Sequence, residues 1–519
     1  MSRKQTNIGQ CCKALLAILL LFLDLSVAAQ QSASNPQLAA ARTALERNDL
    51  SQAEKSVWSM LSSNPSQTDA LTLLGIIRGR QQRYAEAESL FKRVLELDPK
   101  SLLAYRYLGS ALLAQDKLDE AVEQYKQAEK LAPQDPDLRV ELARLYLGRG
   151  NFADALSTIE AIPRDRLPGS AVPVKAASLL GVGRASEAAA LIDRARNSPP
   201  IAMDLADVFL AAHRPDDALK ALNLAAPASR RLPARFYYLK GEALKAKQEF
   251  GPALAAYRQS LALDPKTIPS LLAMAETYAA QNKHDESLAA LQRARALDPD
   301  SLPVLRHVVV EAMATGRNLI AKEAASDLIK KSPQNPDDKY LAAAVMLQQE
   351  EYRAATQLLE DYVRVRPNEP KAYLGLGISY LSQLRYPEAR NALERALQLD
   401  PSLAEAEYEL GLVYAKEGNT RQAVQHQERA VEIRPAHAKA LFSLGTLYLE
   451  SGELEKALSV LQRSAAADPS FAKTEYEIGL ALSKLGRSQE AQLHMERYRE
   501  LQEAEHQAAK NARKQLTPP

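Results

Sequence analysis

Proline recurs at a fixed step along this chain. Pro65, Pro99 and Pro133 lie 34 residues apart, and after a change of phase Pro265, Pro299, Pro333, Pro367, Pro401, Pro435 and Pro469 keep the same step. A proline removes a backbone donor and clashes with the preceding helical turn, so each one closes a helix or sits outside a strand ladder. A chain punctuated this way must be built from a short unit repeated many times. Such a unit cannot bury its own apolar face and has to stack on its neighbours.

Other positions repeat in phase with the prolines. Gly75, Gly109, Gly241, Ala275, Gly377, Gly411, Gly445 and Gly479 hold one small position. Twelve residues later stand Ala87, Ala121, Ala253, Ala389, Ala423, Ala457 and Ala491, with Ser287 as the exception. Within "YRYLGSALLAQ", Tyr105, Leu108, Gly109 and Leu112 share one helical face, as Ala121, Tyr125, Ala128 and Leu131 do in the next segment. The spacing predicts two amphipathic helices per unit, crossing closely at the small residue while larger side chains fill the space on either side. Glycine inside a helix costs about 0.5–1 kcal/mol against alanine, so its recurrence implies that close approach outweighs that cost. The segments "EYELG" (407–411) and "EYEIG" (475–479), two units apart, are first of all parts of this building block.

The pattern resembles the tetratricopeptide repeat (TPR), which "AYLGLGISYLSQLRYPEARNALERALQLDP" (372–401) matches almost throughout. The resemblance implies an all-α fold, a right-handed superhelical solenoid of about fourteen TPR helix-turn-helix repeats. It divides the chain into repeats at 34–67, 68–101 and 102–135, irregular TPR-like repeats over 136–233, and repeats at 234–267, 268–301, 302–335, 336–369, 370–403, 404–437, 438–471 and 472–505. A charged capping tail at 506–519 is expected to shield the last apolar face. The middle departs from the period: "AIPRDRLPGSAVP" (161–173), "NSPPIAM" (197–203) and "AAPASRRLP" (225–233) break it, and Pro133 to Pro265 spans 132 residues. Either a bend lies there or the repeats are worn with their packing intact.

The N-terminus reads as a signal peptide at 1–29. Arg3, Lys4 and Lys13 precede the apolar "ALLAILLLFL" (14–23), and small residues before Gln30 suit cleavage after Ala29. Ten apolar residues are too few for a spanning helix, although a retained anchor is the alternative. Cleavage removes three basic residues and one acidic residue, and 63 of each sign remain. A neutral chain has no general electrostatic attraction for nucleic acid or acidic lipid. Both cysteines, Cys11 and Cys12, leave with the signal, and the rest of the chain has no Asn-x-Ser/Thr sequon. An exported bacterial protein of the periplasm is the compartment this favours.

No chemistry-bearing constellation emerges. The seven histidines, His213, His284, His307, His426, His437, His494 and His506, lack metal-ligand spacing and read as surface residues. "GVGRAS" (181–186) lacks the third glycine of a dinucleotide loop and comes after a helix, so a turn explains it. No catalytic residue, cofactor or metal is expected. An enzyme would need a further domain, and the repeats run nearly to Pro519.

In the family the resemblance points to, the first helices of successive repeats line a concave groove. Carried onto the last four repeats, the groove residues are Leu374, Tyr408, Phe442 and Tyr476, then Ile378, Leu412, Thr446 and Leu480, with Gly375, Glu409, Ser443 and Glu477 beside them and Lys371, Glu405, Lys439 and Lys473 at the edge. The resemblance implies an apolar-aromatic stripe with charged borders for a partner protein or peptide segment. Equally, such aromatics pack on their neighbours. The residue after the small position is Ile76, Ser110, Glu242, Ile378, Leu412, Thr446 or Leu480 and never asparagine. The family's asparagine-based recognition modes therefore do not transfer. The expected function is a non-enzymatic protein-protein interaction scaffold of the cell envelope. The alternative is a non-catalytic subunit of an envelope enzyme or of a polysaccharide export or secretion complex. Partners are expected to be proteins, with no nucleic acid and no membrane insertion after signal cleavage; the oligomeric state stays open.

Overall fold

A computed structural model describes residues 36–226 and 231–516. The expected signal peptide lies outside the described residues. Among those described, 28 α-helices succeed one another from Pro36–Glu46 to Ser488–Leu516, and no strand is present. Two short 3-10 segments, Arg164–Arg166 and Leu191–Ala195, complete the regular structure.

The helices pair because the local signals agree. The turn inside each pair holds one residue in the left-handed region: Asn48, Gln82, Asp116 and Gly150 at the start, and Asn282, Gly316, Glu350, Leu384, Gly418, Gly452 and Gly486 towards the end. These keep the 34-residue step, and they locate the break in it. Gly150, Gly183, His213 and Gln248 are 33, 30 and 35 residues apart, four short of three full steps. Between pairs, the residue before proline closes an Asx turn across it. Asp98, Asp264, Asp298, Asp400 and Asp468 each accept a hydrogen bond from the amide two residues on, at 2.9–3.1 Å.

The chain divides into two compact units, Met1–Gln281 and Asn282–Pro519. In the first, the helices from Pro36–Glu46 to Ile268–Ala279 stack in sequence. Its largest core runs unbroken from Val140 to Ala243, through the irregular repeats. There the second helices shrink to Phe152–Glu160 and Ala185–Ala190, and Phe152, Ile159, Ile162 and Phe209 fill the space. Packing is intact where the period breaks. In the second unit, His284–Leu297 is succeeded by six pairs. Within both units, first helices of successive pairs also touch one another directly, as Pro370–Ser382 does Ala404–Lys416. The first helices therefore form the inner face of each stack.

Candidate functional site

The inner face is set by one repeated contact. A Cβ added at Gly75, Gly109, Gly241, Gly377, Gly411, Gly445 or Gly479 would meet the residue 16 positions on, at 2.3–2.9 Å. The partners are Phe91, Tyr125, Tyr257, Leu393, Gln427, Leu461 and Met495. The larger side chain thus sits on the glycine itself rather than to either side of the crossing. This contact fixes the rotation of each first helix, and with it which residues face inward.

All ten expected groove residues lie on four successive first helices of the second unit: Pro370–Ser382, Ala404–Lys416, Ala438–Glu450 and Ala472–Lys484. Leu374, Ile378, Tyr408, Glu409, Leu412, Phe442, Thr446, Glu477 and Leu480 are half-buried, whereas Tyr476 is 42% exposed. The aromatics lean on residues later in the chain. Tyr408 meets the His437 ring at 5.1 Å, Phe442 meets Phe471 at 4.9 Å, and Tyr476 meets Tyr498 of the last helix at 5.4 Å. His437 and Phe471 are the N-cap residues of the next first helices. The stripe therefore both joins neighbouring pairs and presents its remaining surface. Thr446 gives its hydroxyl to the Phe442 carbonyl at 3.0 Å, so it offers the groove its methyl group.

The three letters of the repeated "EYE" have three different roles. Glu407 and Glu475 bond His426 and His494 on the second helix of their own pair, at 2.7 and 2.6 Å. Tyr408 and Tyr476 reach forward to His437 and Tyr498. Glu409 and Glu477 have no hydrogen-bond or ion-pair partner among the described residues. Burial, with Glu405 nearby, pushes the Glu409 carboxyl up to about 7, against the opposing pull of Lys439. Burial and Glu450 likewise raise Glu477. Glu405 itself is held below its usual range by a 3.1 Å bond to His437. Lys371, Lys439 and Lys473 are exposed at the border.

Two sequence readings need correction or extension. His437 is not a surface residue: it is buried, caps its helix by accepting from the Ala440 amide, and bonds Glu405. The stripe also begins earlier than the last four repeats. Val310, 51% exposed, and the half-buried Ala344 stand in the same 34-residue register as Ile378, with Leu341 and Leu347 beside them. Carrying the resemblance one and two repeats further upstream of Ile378 would have found them. Upstream, the inner residue Arg306 is bound in a two-point ion pair to the fully buried Asp338, at 2.6 and 2.9 Å. "GVGRAS" contains the left-handed turn residue Gly183. Among the described residues no group of His, Cys, Asp and Glu is arranged to hold a metal, and no helix is long and apolar enough to cross a membrane.

Family profiles described as tetratricopeptide repeat match residues 38–101, 72–136 and 203–267, then 112–171, 402–470 and 270–301. One described as TPR repeat matches 379–418. Residues 319–396 match the family of anaphase-promoting complex, cyclosome, subunit 3. Cellulose synthase operon protein C of Pseudomonas fluorescens (strain SBW25) is 27% identical over 264 residues, 47% of this chain and 18% of that protein. Its namesake in Xanthomonas axonopodis pv. citri (strain 306) is 31% identical over 159 residues, 29% of this chain and 10% of that protein. This chain thus spans less than a fifth of the length of either relative. Among solved structures, MamA is 24% identical, covering 32% of this chain and 96% of its own, with a TM-score of 0.30. YrrB, a TPR protein with an unusual peptide-binding site, is 21% identical, covering 36% and 97%, with a TM-score of 0.32.

Proposed function

We propose that this chain, which belongs to the tetratricopeptide repeat family, is a non-enzymatic scaffold that holds segments of partner proteins on the inner face of its C-terminal repeats. One observation carries the reading. A row of half-buried Leu374, Tyr408 and Phe442 and exposed Tyr476, backed by Ile378, Leu412, Thr446 and Leu480, is set beside two carboxyls, Glu409 and Glu477, that no group among the described residues satisfies. An apolar row offers area, and unsatisfied acceptors offer specificity to a segment that brings donors. We read the chain as exported in bacteria, with a signal at 1–29 and repeats from 34 to 505. N-terminal sequencing of the exported protein tests the export: a start near Gln30 supports cleavage, and an intact Met1 sinks it.

A second reading rests on the relatives, both named cellulose synthase operon protein C. On that reading the chain is a non-catalytic subunit of an envelope polysaccharide export or secretion complex. Both are tested by affinity capture from envelope extract with wild type and with Tyr408→Ala/Phe442→Ala/Tyr476→Ala, after circular dichroism shows both to be helical. Loss of a partner from the variant alone supports the groove, and that partner's identity decides between the readings. Identical capture by both proteins rejects the stripe as the binding surface.

A further inference from the structure

The inner face of the first unit has a different chemistry. Four of its first helices contribute Arg42, Arg80, Arg106 and Arg144, with Glu141 beside Arg106 and Arg144, and Asp135 and Asp137 near them. Arg80 bonds the Leu45 carbonyl at 2.6 Å and lines a cavity of about 70 Å³ with Ile76, Tyr107 and Ser110. Arg106 and Glu141, each about nine-tenths buried, form an ion pair at 2.6 Å. That pair is incomplete. Arg106 Nε and Glu141 Oε2 are buried with no hydrogen-bond partner. Half-buried Arg144 makes no hydrogen bond or ion pair among the described residues, and burial lowers the pKa of its guanidinium despite Glu141 and Asp204. Further along the same face the sign reverses. Asp204 and Asp207 share the ion-pair partner Arg235, and burial raises both carboxyls despite it, with Arg144 also pulling on Asp204.

A guanidinium has five donors in a planar fork suited to carboxylates, and leaving them unsatisfied out of water costs free energy. A structural role does not explain Arg144, because no group among the described residues uses its donors. The reversal of sign also selects the ligand. A uniform polyanion drawn to the arginines would next meet Asp204 and Asp207, whereas a segment with acids at one end and a base at the other matches both ends. We infer that the inner face of the first unit, from Arg80 to Asp207, is a second docking surface for an extended peptide segment carrying carboxylates at one end and a lysine or arginine at the other. It is separate from the C-terminal stripe, so either surface can fail without the other.

The test is selection of random dodecapeptides on the full-length chain, followed by fluorescence anisotropy on the enriched sequences. The chain is used as wild type, Arg144→Glu, the milder Arg144→Gln, and the triple stripe variant. Enriched peptides are expected to carry acidic residues at one end and a basic one at the other, in either order, and to bind at least tenfold more weakly to Arg144→Glu. Arg144→Gln should fall between, affinity should drop as salt is raised, and the stripe variant should bind as wild type. Circular dichroism shows each variant to be folded; if Arg144→Glu is not, Arg144→Gln decides. Peptides without charge bias, equal binding by the Arg144 variants, or loss only in the stripe variant would each overturn the inference. Dextran sulfate binding as tightly as the peptides would overturn the choice of a peptide.

Discussion

Glu409 shows how a single residue can link stability to recognition. Its carboxyl lies on the inner face with Glu405 and Lys439 near it and no donor bonded to it among the described residues. In the folded chain it titrates at about 7, above the ordinary 4.5. Between those values the native state holds a proton that the unfolded state has lost. Stability from this group is therefore full below the lower value and declines as pH rises through the higher one. Glu409→Gln should leave stability nearly unchanged at acidic pH and raise it above neutrality, on the order of 1 kcal/mol after allowance for its partial exposure. Urea unfolding at pH 5 and pH 8 measures this, and a pH-independent difference would contradict it. A partner's lysine or arginine placed here would return the carboxyl to its charged form.

At the scale of the element, the glycine contact decides how two helices cross. Gly241 lies under Tyr257, whose ring is fully buried and whose hydroxyl bonds Glu242 at 2.6 Å. An added methyl at Gly241 would come within 2.3 Å of that ring. Gly241→Ala gains about 0.5–1 kcal/mol in helix propensity but forces an overpacked core costing about 1–3 kcal/mol. The crossing outweighs the propensity, so thermal denaturation should show a lower midpoint; a higher one would mean that the ring can move aside. Between pairs a second repeated bond acts. Tyr380, Tyr414 and Tyr448 each donate a hydroxyl hydrogen to a glutamate 20 residues earlier, Glu360, Glu394 and Glu428, at 2.6–3.4 Å. That bond runs from the first helix of one pair to the second helix of the pair before.

Within each unit, pairs stack on their neighbours along the chain, so stability is close to a sum over pairs and interfaces. Deleting residues 404–437 removes one full period and joins Leu403 to Ala438, so that an N-cap residue again precedes the first residue of a first helix, as Leu403 precedes Ala404. The shortened chain should keep its ellipticity per residue to within about a tenth and unfold at a somewhat lower temperature. It should also lose groove ligands that need Tyr408 and Glu409. Collapse of helicity throughout would instead show coupling beyond nearest neighbours.

The helices and their pairing were legible from period, whereas the choice of Leu374, Tyr408, Phe442 and Tyr476 as groove residues came from the family resemblance. Proline, glycine and the apolar positions report backbone geometry and helical face, which are local or nearest-neighbour properties repeated many times over. The four-residue shortfall was legible as well, though not its distribution, because the left-handed turn residues that carry it include His213 and Gln248, which no composition rule singles out. Electrostatics were not legible. In the sequence Glu407 and Glu409 are the same letter two places apart, and only the rotation of the helix sends one to His426 and leaves the other unsatisfied. Likewise Arg106 and Arg144 look like ordinary surface charges until the fold brings both near the buried Glu141. The sequence by itself determined the repeating fold, because its signals act within one or two units. Tertiary structure alone decided which charges lose water and which find partners, because desolvation depends on what the adjacent pair places against them.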